Sequence, residues 1–329
     1  MVYRRCGKSG LILSIQSLGF WKGFIENGFA VFEAVVTRAF ERGIIHYDLA
    51  DNYGMPLGSA EEMFGRILSG SLKRHRDKLV VSTKCGMYMW EGPYGTGLSK
   101  KHIIAGVDNS LRRLKLEYVD IIYLHSQDIN TDIDETLSAI DLILTKGKAL
   151  YLGICNFSLD NFLLLLEKAK QAKIPISVIQ LPLSIFTYTQ YSEYIYEAKR
   201  NHIGILSYSP LSQGILSNSF VSRVGRWFTQ STNEKISTQS TRAEKYLHRH
   251  EAVNLYRKVL QLDLLAKARN QTLSQMAMAW LFQYQHICSV IMGVRNQTQL
   301  DENIFNRNPP GFTTDENCRI HQIVSELKL

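Results

Sequence analysis

The chain has 329 residues, of which 45% are hydrophobic, and this length and composition suit a globular protein with a large buried core. Its net charge is +8, but the most basic run, residues 72–78, also carries an acid, so the pattern argues against a nucleic-acid-binding patch. No run of 18 uncharged apolar residues predicts a membrane span, and five scattered cysteines without CxxC spacing favour a cytoplasmic protein over a disulfide scaffold or zinc site.

Short apolar runs alternate with amphipathic stretches along the chain. The opening, residues 1–14, is predicted to form a short hairpin. Eight candidate strands follow, at residues 17–21, 44–50, 79–84, 119–125, 149–155, 176–180, 203–208 and 288–293. Helical patterns occur at residues 29–43, 99–114, 134–147, 158–173 and 273–284. Eight strands, nearly all followed by a helix, predict an α/β fold of the (β/α)8 TIM-barrel type.

Two stretches interrupt this alternation. Residues 86–98 are rich in Gly and aromatic residues and are predicted to form a loop over a pocket. Residues 217–250 are polar and are predicted to form a second long loop. We expect both over the C-terminal rim of the barrel. No composition shift marks a boundary, so residues 1–329 are predicted to form a single domain.

Ionisable residues end three of the predicted strands. Alternation puts His46 and Asp48 on one face of their strand, and it gives Lys84 and His125 the last inward positions of theirs. Such strand ends meet at one rim of a barrel, where catalytic groups gather. Tyr53 follows Asp48 by five residues and is expected to face the same rim.

These residue types suit one chemistry. A lysine beside Asp48 would stay protonated, and its charge would lower the pKa of a neighbouring tyrosine and ease proton donation to a carbonyl oxygen. A histidine could orient the same oxygen. Taken singly, the Asp, the Lys and the His each have ordinary structural explanations. Together with Tyr53, they favour carbonyl reduction by an external hydride.

No metal-ligand spacing is present, so no metal site is predicted. His46 is interpreted as a buried structural histidine and Asp51 as a turn residue.

The chain resembles the aldo-keto reductases. The blocks DLADNYG, STK, LRRLKLEYVDIIYLH, GICNFS, YSPLSQGIL and GVRNQTQLDEN match that family in order. Within the family, YRRCGKSGL and YMWEGPYG are most similar to the branch that holds potassium-channel β-subunits and bacterial L-glyceraldehyde-3-phosphate reductases. The resemblance implies an NADP(H)-dependent barrel enzyme with Tyr53 as proton donor, Lys84 paired with Asp48, and His125 orienting the carbonyl.

The resemblance also implies binding residues. Asn156 and Gln180 would hold the nicotinamide carboxamide, and Tyr208 would stack on its ring. The pyrophosphate would lie along Ser209, Leu211 and Gln213. Trp21 and Trp90 would wall the substrate pocket. The adenosine end would contact Gly293, Arg295, Gln299, Glu302 and Asn303.

Two positions depart from the family pattern. Cys155 stands where a serine is common, and a thiol is a weaker hydrogen-bond partner. Residues 218–220 read NSF where the family commonly has GKY, with a lysine near the cofactor phosphates. Arg223 or Arg226 could replace that lysine. The preference for NADPH over NADH therefore stays open at this point.

The functional prediction is NAD(P)H-dependent reduction of a small aldehyde or ketone to its alcohol, with glyceraldehyde 3-phosphate or methylglyoxal-type dicarbonyls as candidate substrates. One alternative is a regulatory or binding subunit similar to channel β-subunits with slow redox activity, and another is a keto-sugar reductase. The expected partner is a small carbonyl compound, without nucleic acid or membrane insertion. The resemblance also implies a homo-oligomer.

Overall fold

The computed structural model describes residues 1–21, 28–230, 249–305 and 309–325, and the side chains of residues 226–230 and 249–252 lie outside that description. The chain opens with an antiparallel hairpin. Its strands are β1 (Tyr3–Arg5) and β2 (Ile12–Ser14), paired so that Arg4 lies opposite Leu13. The predicted hairpin is confirmed.

Eight parallel strands form a closed barrel. In chain order they are β3 (Gln16–Gly19), β4 (His46–Asp48), β5 (Val80–Cys85), β6 (Val119–Leu124), β7 (Ala149–Cys155), β8 (Ile176–Leu181), β9 (Gly204–Ser207) and β10 (Ile287–Met292). They are adjacent in this order, and β10 pairs with β3 to close the barrel. Each lies within a few residues of a predicted strand, so the (β/α)8 TIM-barrel fold is confirmed.

Helices alternate with these strands. They are α1 (Phe29–Glu41), α2 (Ser59–Ser69), α3 (Lys100–Leu114), α4 (Ile133–Thr145), α5 (Leu159–Gln171), α6 (Ser192–Arg200), α7 (Asn218–Gln230), α8 (Arg249–Ala268), α9 (Leu273–Phe282), α10 (Gln297–Asn303) and α11 (Thr314–Ser325). No helix in the described ranges is both long enough and apolar enough to span a bilayer.

The predicted loop over residues 217–250 is wrong at both ends. Residues 218–230 form α7, and α8 begins at Arg249. The polar composition hid a helical spacing of apolar residues at positions 220, 221 and 224, and Phe220 is in fact buried. Residues 231–248 lie outside the described part of the chain.

Local signals set several helix boundaries. The Ser99 hydroxyl accepts from the backbone N–H of His102 and caps α3, as the Ser158 hydroxyl caps α5. Gly43 follows α1 with φ 88°, a left-handed conformation that ends helices and favours glycine. The sequence predicted all three positions.

The described residues group into two compact units. The first comprises Met1–Leu181, Glu193–Leu206 and His286–Arg307, and its core includes stacked or tilted rings of Phe20, Phe32, Tyr47 and Phe64. The second comprises Pro182–Ser192, Ser207–Gln285 and Asn308–Leu329. Its core includes Tyr188, Trp280 and Tyr284, whose ring centroids lie 4.3–5.3 Å apart. The single domain over residues 1–329 stays a prediction.

Candidate active site

A buried ion pair lies at the ends of two neighbouring barrel strands. Asp48 ends β4, and Lys84 is the next-to-last residue of β5. Lys84 Nζ donates to Asp48 Oδ2 at 2.5 Å and to the backbone oxygen of Leu49 at 2.8 Å. Both residues are at most 3% exposed. A buried charge pair of this kind needs close geometry and further hydrogen bonds, and both are present here.

The ring of Tyr53 lies beside the lysine end of this pair, and two further rings lie beside Tyr53. Lys84 Nζ lies 5.1 Å from the centroid of the Tyr53 ring. The Tyr53 ring lies 5.9 Å from the imidazole of His125, edge-on, and 5.0 Å from the ring of Trp21. Trp21 is 54% exposed, whereas Tyr53 and His125 are buried. The structure therefore brings together the four residues predicted as a catalytic set and places one predicted pocket tryptophan beside them.

Mutual stabilisation keeps the pair charged. Burial alone would lower the pKa of Lys84, but the negative charge of Asp48, joined at high pH by that of the Tyr53 phenolate, outweighs burial and raises that pKa. Burial alone would raise the pKa of Asp48, but Lys84, His46 and the hydrogen bonds to the carboxylate lower it. Lys84 is therefore a cation and Asp48 an anion at neutral pH.

The two neighbouring rings are uncharged at neutral pH. Burial raises the pKa of Tyr53 to about 12, with the charge of Lys84 acting in the opposite direction. Lys84 therefore lowers the pKa of Tyr53, as predicted, but burial raises that pKa by a larger amount. Burial, together with the charge of Lys84, lowers the pKa of His125 to about 3. Tyr53 therefore retains its proton, and the imidazole is neutral.

A chain of hydrogen bonds runs through the barrel interior to Asp48. The hydroxyls of Ser289 and Ser17 lie 2.5 Å apart, and Ser17 Oγ lies 2.7 Å from His46 Nδ1. His46 Nε2 lies 2.9 Å from Ser82 Oγ, which donates to Asp48 Oδ1 at 2.9 Å. Strand alternation predicted that His46 shares a face with Asp48, whereas no sequence pattern indicated a role for Ser17, Ser82 or Ser289.

The charge on Asp48 sets the direction of this chain. Ser82 has one hydroxyl proton, which it donates to the carboxylate, so His46 Nε2 must be the donor to Ser82. Burial lowers the pKa of His46 to about 4, so its ring is neutral and Nδ1 accepts from Ser17. Every hydroxyl and the imidazole then donate toward Asp48. His46 is a buried structural histidine, as predicted.

Gln180 and Asn156 lie next to this network. Gln180 Nε2, on β8, donates to Asp48 Oδ1 at 2.6 Å. Asn156 follows β7 with φ 54°, and its side-chain amide donates to the backbone oxygen of His125 at 2.8 Å. Cys155, which directly precedes Asn156, is buried, and burial raises the pKa of its thiol to about 12. The two amides therefore help to position the predicted catalytic residues.

Comparison with known proteins identifies the family. Residues 18–325 match the sequence model of the Aldo/keto reductase family. The chain belongs to the aldo/keto reductase family. Its expected family and fold are both confirmed, and membership makes it an oxidoreductase that acts on small carbonyl compounds.

Individual relatives cover almost the whole chain. The chain is 36% identical over 334 residues to proteins named L-glyceraldehyde 3-phosphate reductase from Escherichia coli strain K12 and Escherichia coli O157:H7, covering 100% of this chain and 94% of each relative. It is 31% identical over 313 residues to a probable voltage-gated potassium channel subunit beta of Arabidopsis thaliana, covering 92% of this chain and 90% of that protein.

The residues predicted at the adenosine end of the reductase cofactor cluster around the start of α10. The Asn296 side chain caps this helix by accepting from the backbone N–H of Gln299. Gln299 Oε1 in turn accepts from the backbone N–H of Arg295 at 2.8 Å. Asn303 is buried and donates to the backbone oxygen of Gln299, while Gly293, Arg295 and Glu302 are exposed. Their contacts with a cofactor stay predictions.

The predicted pyrophosphate residues belong to the second unit. The turn after Ser207 contains Ser209 and Gln213 in left-handed conformations, with φ 52° and 57°. Backbone bonds from Ser212 to Ser209 and from Gly214 to Leu211 hold it. Tyr208 precedes this turn. Arg223 lies on α7, and the side chain of Arg226 lies outside the described residues.

Two further sequence predictions meet at α3. Trp90 packs against His102, with ring centroids 5.2 Å apart, so the contacts described for it are with α3; its place in a substrate pocket stays a prediction. Asp51, predicted to shape a turn, does lie at a turn, but it is also completely buried. Burial and the neighbouring charge of Glu61 raise the pKa of Asp51 well above its usual range. Sequence reasoning missed this burial because Asp51 sits in a polar run.

Proposed function

We propose that this aldo/keto reductase reduces a small aldehyde to its alcohol with NADPH. The observation that supports the proposal most directly is the Lys84–Asp48 ion pair beside Tyr53 and His125. A protonated phenol, a neutral imidazole and a buried ammonium group lie together at the end of the barrel strands, where reacting groups gather in this fold.

Each side chain has a distinct part in this proposal. Tyr53 donates its proton to the carbonyl oxygen as negative charge develops there. Lys84, kept cationic by Asp48, favours the phenolate that remains after donation. His125 is neutral and therefore offers one N–H, which can orient the carbonyl oxygen without adding charge.

The residues at this rim fit a nicotinamide cofactor. Asn156 and Gln180 lie beside the ion pair and supply amide groups that can match a carboxamide. None of Asp48, Tyr53, Lys84 and His125 can supply a hydride. When bound, the dihydronicotinamide supplies it. The choice of NADPH rests on the family resemblance, and Arg223 is the described candidate for a 2′-phosphate contact. The ratio of kcat/KM for NADPH to that for NADH tests this preference, and a ratio at or below one contradicts it.

The proposed substrates are short aldehydes, including triose phosphates. This assignment is supported by the L-glyceraldehyde 3-phosphate reductases of Escherichia coli, which match the full length of the chain. The net charge of +8 also suits anionic substrates, since a positive protein attracts them from solution.

A panel of aldehydes tests the reductase proposal. NADPH consumption should be steady with a short-chain aldehyde and should fall by about 10²–10⁴-fold in Tyr53→Phe. Tyr196→Phe is the matched control, because Tyr196 lies on α6 and is 63% exposed. Two results would contradict the proposal. One is turnover that Tyr53→Phe leaves unchanged, and the other is that none of the carbonyl compounds tested is turned over.

A regulatory role similar to that of channel β-subunits is the second candidate. The Arabidopsis thaliana relative, a probable potassium channel subunit beta, supports it. A protein of this kind would oxidise one equivalent of NADPH per chain in a burst and then turn over very slowly. Many turnovers per chain exclude this role, and a burst without turnover favours it. Activity confined to keto-sugars would instead support the keto-sugar alternative. A cytoplasmic location and a homo-oligomer remain predictions from the resemblance.

A further inference from the structure

A second polar cluster lies on the outer side of β5, away from the ion pair. Asp51 follows β4, Cys85 is the last residue of β5, and His102 is in the first turn of α3. All three residues are at most 1% exposed. One carboxylate oxygen, the thiol sulfur and one imidazole nitrogen lie within 4.8 Å of one another. Lys84 points into the barrel, so its neighbour Cys85 points outward toward α3.

Three polar atoms of this cluster have no nitrogen or oxygen hydrogen-bond partner among the described residues. They are the two carboxylate oxygens of Asp51 and Nε2 of His102. The thiol of Cys85, a weak donor, interacts with the Asp51 carboxyl inside the cluster. Arg113, whose charge acts on Asp51, is already paired with Glu61 at 2.7 Å. Leaving buried polar atoms unsatisfied costs about 1–3 kcal/mol each. A folded protein rarely leaves three such atoms unsatisfied in one place, and this points to a bound group.

The histidine of the cluster is oriented as a ligand. His102 Nδ1 lies 2.6 Å from the backbone oxygen of Tyr94, and only a protonated nitrogen can bond to that oxygen. With its proton on Nδ1, the neutral ring carries a lone pair on Nε2, the nitrogen that has no partner among the described residues. A backbone carbonyl that fixes the tautomer and orientation of a histidine is a common feature around metal ligands.

We propose that Asp51, Cys85 and His102 form a buried binding site for a divalent transition metal of the Zn²⁺ class. One thiolate, one imidazole and one carboxylate are ligands that Zn²⁺ accepts, at about 2.0–2.3 Å each. Ligand atoms around such an ion lie about 3.5 Å apart, so the three side chains close in by about 1 Å on binding. The fourth position is left for water.

The charges balance in this site. One carboxylate, one thiolate and one neutral imidazole carry two negative charges in all, which match the double positive charge of the ion. The ion would join the loop after β4 to α3. Asp51 already donates its backbone N–H to the oxygen of Lys84, and Tyr53 lies two residues further along. The metal would therefore hold in place the segment between Asp48 and Tyr53, which are both proposed for catalysis. It would not contact the substrate.

Cobalt substitution tests the site without any activity measurement. The full chain, carrying Cys318→Ser to remove its exposed thiol, is unfolded and refolded with one equivalent of Co²⁺ because all three proposed ligands are at most 1% exposed. We expect a thiolate-to-cobalt charge-transfer band, visible bands of tetrahedral Co²⁺, and one metal per chain after gel filtration. Zn²⁺ should displace the bands and raise the unfolding midpoint.

Variants assign the ligands. Cys85→Ser and His102→Gln should each lower metal affinity by roughly tenfold or more, since even partners of ligands matter this much. Cys288→Ser is the matched control, because Cys288 is a buried strand cysteine beside Cys6 and is the alternative source of a thiolate. The bands should survive that change. The spectrum of the unsubstituted site reports thiolate ligation directly, so the test holds even if one variant fails to fold.

Two results would overturn the proposal. One is the absence of a charge-transfer band in refolded protein whose circular dichroism matches the native state. The other is a band that Cys85→Ser leaves intact or that Cys288→Ser removes. Since no arm of the experiment measures turnover, a failed reductase assay and a failed metal assay remain distinguishable.

Discussion

Lys84 Nζ lies 2.5 Å from Asp48 Oδ2 inside a barrel wall where neither residue is more than 3% exposed. Three further donors or acceptors, from Ser82, Gln180 and Leu49, complete the polar environment of the pair. The arrangement makes each charge dependent on the other, because removal of one leaves its partner buried without compensation. Stability and proposed catalysis therefore rest on the same pair of atoms.

Lys84→Met should lower both stability and activity. The buried carboxylate loses its counter-charge, which costs about 3–5 kcal/mol in the free energy of unfolding. Reductase kcat should fall by about 10²–10⁴-fold, the typical contribution of acid–base assistance. Urea titration and steady-state kinetics measure the two effects.

The double variant Asp48→Asn with Lys84→Met separates the effect on stability from the effect on activity. It removes both charges and should recover most of the lost stability, while activity stays low. Recovery of activity along with stability would show that Lys84 acts only through folding.

His46 should make stability depend on pH. Its pKa is lowered from 6.5 to about 4 in the folded state, so the unfolded chain binds more protons between those values. The contribution of His46 to the free energy of unfolding is fully present above pH 6.5 and is lost as pH falls toward 4. The total loss is about 3 kcal/mol. Wild-type protein should therefore lose stability over this window in urea titrations.

His46→Gln should weaken that dependence. Gln can accept from Ser17 and donate to Ser82 but does not titrate. His125, with a pKa of about 3, keeps its own contribution in both proteins. Identical slopes of stability against pH in the two proteins would contradict the assignment of His46 as a neutral buried group.

Sequence patterns predicted the barrel and the set of Asp48, Tyr53, Lys84 and His125. Both predictions depend on the alternation of residues along strands and on the order of the elements in the chain. Strand alternation alone placed Asp48, Lys84 and His125 at one rim. The same reasoning could not connect Ser17 with Ser289, since these serines meet only when β10 closes the barrel against β3.

The cluster of Asp51, Cys85 and His102 could not be predicted from the sequence for a related reason. Its members come from three elements, so no local spacing of ligand residues marks them, and the sequence predicted no metal site. Helix α7 was missed because its apolar face is interrupted by polar residues that dominate the composition of the segment.

Ser82→Ala should be the costliest change in the serine chain. It removes a donor to Asp48 and leaves the buried N–H of His46 without an acceptor, which costs about 1–3 kcal/mol. Ser289→Ala removes only the outermost donor and should cost about 1 kcal/mol or less. Equal losses in thermal or urea unfolding would argue against a chain directed toward Asp48.

Gly153→Ala tests how tightly the barrel interior is filled. A Cβ at position 153, on β7, would lie 2.3 Å from the ring of Tyr123, which is fully buried on the adjacent strand β6. The ring cannot move outward because the interior is close-packed, so overpacking should cost about 1–3 kcal/mol. Gly311→Ala is the matched control, since an added Cβ there meets nothing within 4 Å. Urea unfolding should show a lower midpoint for Gly153→Ala alone, and equal midpoints for the two variants would mean that Tyr123 has room to shift.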